Sequence, residues 1–144
     1  FIERQVTMRY MTGFFALAVI AAAPLSAQAP ALAGRYTSMR AALKNLIVLE
    51  ERYYAGHGTY TTDQAALGVT MPRTHAEAVQ QGYSIAIVQA GGRGWWAQAQ
   101  LADPTPSGCV VFVGELKYSG VTPTTPGGTP VGSDHEGRIA CDAP

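Results

Sequence analysis

The sequence predicts an α+β fold: a long N-terminal helix packed on a small antiparallel sheet of three to four strands, with a C-terminal loop bounded by a disulfide. Three observations carry this. From Tyr36 onward, Tyr36, Met39, Leu43, Leu46, Ile47, Tyr53 and Tyr54 recur at the three-and-four spacing of one helical face. Tyr83–Gln89 (YSIAIVQ) and Trp95–Leu101 (WWAQAQL) then alternate apolar and polar residues, the period of a strand. Finally, Cys109 and Cys141 flank a stretch rich in Thr, Pro and Gly.

The helix is the clearest element. Arg40, Lys44, Glu51 and Arg52 occupy its remaining faces. Thr37 or Ser38 would cap it if it starts there, and Gly56 and Gly58 supply a stop. Thr59–Gly68 is polar and turn-rich, with one short helical turn expected over Asp63–Gly68. Ala90–Gly94 (AGGRG) reads as a hairpin connection between the two alternating strands. Cys109–Val113 (CVVFV) is a short continuous apolar run, and Gly137–Cys141 (GRIAC) a final short strand. The apolar side of such a sheet needs cover, and the amphipathic helix is the only long element able to supply it.

A chain of 144 residues has room for one domain of ordinary size. Ten Lys and Arg balance ten Asp and Glu, so no net field attracts nucleic acid or an anionic membrane. Hydrophobic residues make up 47% and charged residues 14%; much of the excess sits in Tyr10–Ala33, which holds no charge. An even cysteine count in an exported chain favours one disulfide; two separate buried thiols are the alternative. Closing so long a loop is worth roughly 3–4 kcal/mol on the loop-entropy account.

Residues 1–34 have two readings, and 35–144 form the head in both. In one, Met8-Arg9, the apolar run Phe14–Ala23 and the A-x-A ending of Ser26-Ala27-Gln28-Ala29 make a secretory signal, with the mature protein beginning at Pro30. In the other, the segment is retained as an apolar stem helix that starts at Phe1, with Pro24 and Pro30 as places for a kink or break. The run is short for a free membrane span of about 20 residues.

His57, His75 and His135 are scattered and lack the spacing of a helical metal motif. Asp134-His135-Glu136 with Asp142 is a weak cation candidate, because successive strand residues point to opposite faces. A small hydrolase using His135 and Asp134 is the remote enzymatic alternative. Gly91-Gly92-Arg93-Gly94 lacks the Lys-Ser/Thr of a phosphate loop. Adjacent Trp95 and Trp96 put one ring in the core and one outward, for a sugar, for a subunit contact, or under the Thr/Pro loop. The expectation is therefore no enzyme, no cofactor and no metal.

Between Ser119 and Ser133 the sequence SGVTPTTPGGTPVGS favours an extended surface excursion held at its base by the disulfide. Thr122, Thr124, Thr125 and Thr129 are the candidate O-glycan acceptors in it.

The order of these features resembles the type IV pilins and related pilin-like subunits. The local likeness lies in Leu43–Thr62 (LKNLIVLEERYYAGHGTYTT), where Glu51, Tyr53, Tyr54, Gly58, Tyr60 and Thr61 fit a helix ending in paired aromatics before a Gly-x-Tyr-Thr turn. Gly108-Cys109-Val110 and Ala140-Cys141 look like the family's paired cysteines, and the likeness covers Tyr36–Pro144. The family usually has a glutamate at its fifth position; here Gln5 stands there and Glu3 is the nearest acid. The resemblance implies a structural subunit of an extracellular filament at the cell surface, a helical homopolymer of this chain held in the inner membrane before assembly. Phe1, Glu3, Phe14, Phe15, Leu17, Val19, Ile20 and Leu25 would build the filament core. Surface glycans are the further partner it suggests, and nucleic acid is not expected. The alternative is an exported soluble pilin-like domain that binds a ligand or partner after removal of residues 1–29.

Overall fold

The computed structural model describes residues 28–69, 75–102, 106–115 and 122–142. The elements run in the order α1 (Gln28–His57), α2 (His75–Gln81), β1 (Tyr83–Gly91), β2 (Gly94–Leu101), β3 (Gly108–Gly114) and β4 (Ala140–Cys141), with a short 3₁₀ turn at Ser133–His135. The strands form one antiparallel sheet in the order β1-β2-β3-β4. This is the expected α+β arrangement, with the helix packed on four strands.

α1 has 30 residues, about 45 Å at the usual rise. It includes Pro30 and runs unbroken past Thr37 and Ser38, so neither is a cap. Their hydroxyls instead donate back to Ala33 O at 3.0 Å and Gly34 O at 3.1 Å, the usual way such residues satisfy themselves within a helix. Gly56 is likewise helical, and the stop is made by Gly58 alone. Its φ of +70° is open to glycine at no steric cost, and its N–H donates to Tyr54 O at 2.8 Å. His57 Nδ1 bonds Tyr53 O at 2.9 Å, satisfying another terminal carbonyl.

One face of α1 lies on the sheet. Tyr36, Met39, Leu43 and Leu46 are buried against Ile85, Trp95, Ala97, Ala99, Cys109 and Val111, with Ile47 and Tyr53 packed at the margin. Burying each large side chain contributes roughly 1.5–3 kcal/mol. Tyr54 does not reach the sheet: it stands exposed at the surface and stacks on Tyr60 at 4.5 Å. A residue directly after Tyr53 is turned by 100° around the helix, which carries it off the packed face.

The sheet is a meander. Gly91 pairs with Gly94 around Gly92-Arg93, a two-residue hairpin turn. A bulge between Ile87 and Gln89 leaves Val88 outside the register and exposed. Alternation along β2 and β3 sends Trp95, Ala97, Ala99, Cys109 and Val111 toward α1, and Trp96, Val110 and Phe112 to the opposite face. That second face is covered by Val131 from the C-terminal loop. β3 is therefore apolar at every position because both of its faces are buried. The seven-residue α2, which packs on β1, has no counterpart in the sequence reading. It is too short to carry a helical period.

Candidate functional site

The C-terminal segment 122–142 is tied to the sheet by the disulfide and by several hydrogen bonds. Cys109 and Cys141 pair directly across β3 and β4 and form a disulfide, with Arg40 Nε donating to Cys141 Sγ at 3.3 Å. Immediately after it, Asp142 gathers four donors. Gly108 N and Gly127 N donate to Oδ2, both at 2.9 Å, while the Thr125 hydroxyl and, at 3.4 Å, the Thr129 hydroxyl reach Oδ1.

Within the loop Gly128 N donates to Thr125 O at 2.8 Å, Thr125 N to Thr129 O at 2.9 Å and Val131 N to Pro123 O at 2.9 Å. Gln98 Nε2 on β2 donates to Thr124 O at 2.6 Å. The segment 122–131 is thus a hairpin-like lid bonded to the sheet, rather than an excursion held only at its base. Thr125 is 2% exposed and its hydroxyl is occupied by Asp142, which removes it from the set of glycan acceptors. Thr122 and Thr129 are exposed and Thr124 is half-buried.

The same lid decides the fate of the tryptophan pair. Trp96 is 6% exposed beneath Val131, so neither indole faces solvent for a sugar or a neighbouring subunit. Among the described residues both indole Nε1 atoms are buried without a hydrogen-bond partner.

The acidic turn does not assemble into a cation site. Glu136 Oε1 accepts from Gly114 N at 2.9 Å, Asp134 Oδ2 lies 3.6 Å from His135 Nε2, and Asp142 is engaged at the lid. Among the described residues no group of three His, Cys, Asp or Glu side chains could share a metal ion.

A second region lies where α1 ends. Glu50 is fully buried on the packed face, and Oε2 accepts from Thr61 N at 3.1 Å. Burial pushes its carboxyl above the usual carboxylate range; the Thr61 bond opposes this, and the charge of Glu51 adds a smaller upward push. The Tyr60 hydroxyl donates to Glu51 Oε1 at 3.0 Å. Burial first, and then that hydrogen bond and the surrounding acids, push the Tyr60 phenol up to about 12. Sequence reasoning passed over Glu50, although the series Tyr36, Met39, Leu43, Leu46, Tyr53 has a gap at its position. Periodicity alone marks that place as buried; its polarity hid it.

The opposite face of α1 is open. Gly34, Ala41, Val48 and Ala55 follow at heptad spacing along it, all exposed, with Val48 at 55%. The candidate filament-core residues Phe1, Glu3, Phe14, Phe15, Leu17, Val19, Ile20 and Leu25 lie outside the described residues, as does Pro24. Among the described residues no helix is long and apolar enough to cross a membrane. Comparison with protein-family models, with curated proteins and with solved structures found no match for this chain.

Proposed function

We propose that this chain is a structural subunit of an extracellular, type IV pilus-like filament, assembled from copies of itself. The observation that carries the reading is the two-sided helix α1. One face is consumed by the sheet, and along the other Gly34, Ala41, Val48 and Ala55 recur at heptad spacing among the exposed polar residues Thr37, Lys44, Asn45 and Arg52. Small residues at heptad spacing let a second helix approach closely. In the sequence the uncharged stretch Tyr10–Ala33 runs directly into this helix, which gives the assembly its apolar stem. Before assembly that stem holds the subunit in the inner membrane, and the disulfide-closed heads face outward at the cell surface. Catalysis has no part in this reading.

A second reading is favoured by Ser26-Ala27-Gln28-Ala29, whose A-x-A ending suits signal peptidase. The chain is then an exported soluble pilin-like domain that binds a ligand or partner. Mass spectrometry of the mature protein separates the two. An N-terminus at Phe1 supports the filament, and one at Pro30 sinks it. Electron microscopy of fibres from cells carrying Val48→Glu supplies the second arm: fibres are lost while the purified head stays folded.

A further inference from the structure

Glu50 occupies a place that the helix pattern reserves for an apolar side chain. It follows Met39, Leu43 and Leu46 on the packed face and is 0% exposed. Oε2 holds the Thr61 backbone N–H at 3.1 Å, and Oε1 is buried with no hydrogen-bond partner. Thr61 lies just beyond the Gly58 stop, where the chain leaves α1 and turns toward the sheet. Beside it, Tyr60 N donates to Gly91 O at 3.3 Å and the Tyr60 ring stands 6.4 Å from the Trp95 ring. The Glu50 side chain therefore joins the end of the helix to the short segment that reaches the β1–β2 hairpin.

A carboxylate with one bare oxygen in an apolar core is costly, whereas a carboxylic acid in the same place is far less so. Among the described residues the titratable groups acting on this site are Glu51 on α1 and the Tyr60 phenol on the following segment, whose ring stands beside Trp95 of β2. The charge of Glu51 adds to the burial cost of an ionised Glu50, while the Tyr60 phenol stays neutral until about pH 12.

We propose that Glu50 is a proton-operated latch at this corner: neutral, it stays beneath the helix and holds Thr61; ionised, it leaves the core and frees the segment 58–61 from the helix end. The sign follows from the upward shift. The folded chain keeps the Glu50 proton after the unfolded chain has released it at about pH 4.3. The stability it contributes is complete below that pH and is lost as pH rises through the folded value. The corner is tight in acid and loosens as pH rises through that folded value.

Amide exchange of Thr61 and Tyr60 in the full chain tests this, measured from about pH 4 to about pH 9 and corrected for intrinsic exchange, in the wild type, Glu50→Gln and Glu51→Gln. In the wild type Thr61 protection falls at least about tenfold across the range. Glu50→Gln keeps an acceptor for Thr61 but cannot ionise, and its protection stays flat. Glu51→Gln keeps the fall, with its midpoint moved to lower pH. A fall of equal size in Glu50→Gln overturns the proposal. Should Glu50→Gln fail to fold, carbon NMR titration of the wild-type carboxyls decides: a Glu50 midpoint above that of Glu51 supports the latch, and one at or below it overturns the latch.

Discussion

Asp142 and Gly108 are bonded twice, once through the side chain and once through the backbone. Gly108 N donates to Asp142 Oδ2 at 2.9 Å, and Asp142 N donates to Gly108 O at 2.9 Å. The same carboxylate also holds Gly127 N and the Thr125 hydroxyl, so one side chain fastens the lid to the start of β3. Hydrogen bonds to a charged group contribute about 1.5–3 kcal/mol each when one partner is removed, and they are not additive.

Asp142→Ala is therefore expected to lower stability by about 2–3 kcal/mol. Because the lid covers Trp96, the loss should be accompanied by a red shift of tryptophan emission. Urea denaturation followed by fluorescence measures both. An unchanged midpoint and spectrum would show that the lid is held without Asp142.

Glycine at 108 is demanded by a close approach. A Cβ there would collide with the Ala99 carbonyl oxygen on β2, a backbone atom that cannot move aside without breaking the ladder. Gly108→Ala should cost about 3 kcal/mol or prevent folding. At Gly91 a Cβ meets nothing within 4 Å and φ is not positive, so Gly91→Ala should change stability by less than about 0.5 kcal/mol. Equal effects at the two sites would contradict the register of β2 and β3.

The disulfide is expected to hold the lid region in the same way. Replacing both Cys109 and Cys141 by Ala should lower stability by roughly 3–4 kcal/mol, the loop-closure value, with a contribution from the space left at buried Cys109. Adding reductant to the wild type and repeating the thermal melt should reproduce most of that loss, which separates the bridge from the packing.

Tyr60 offers a pH signature at the other end of the scale. Its phenol is pushed up to about 12, so the folded chain retains the proton after the unfolded chain begins to lose it at about 10. The stability it contributes is complete below about pH 10 and is lost as pH rises through about 12. Absorbance titration of phenolate should show a late-titrating tyrosine that disappears in Tyr60→Phe. A titration unchanged by that substitution would remove Tyr60 from the buried corner.

The period of the chain is local information, and it was legible. Met39, Leu43 and Leu46 announce a packed helical face, and Tyr83–Gln89 and Trp95–Leu101 announce strands, because side-chain direction repeats every 3.6 or 2 residues whatever the partner. The glycine stop at Gly58 and the turn at Gly92-Arg93 are equally local, set by backbone sterics within a few residues.

Contacts between distant positions are not written in that period, and these decided the rest. Thr125 and Asp142 meet only because the lid folds over the second face of the sheet, which buries Trp96 and takes Thr125 from the surface. The continuous apolar run of β3 announced burial without saying what covers it. Glu50 shows the division most plainly: its spacing placed it on the buried face, but only the packed structure set its Oε2 against Thr61 N and left Oε1 bare. Periodicity fixes which way a side chain points, whereas the environment it meets there depends on chain segments brought together from far along the sequence.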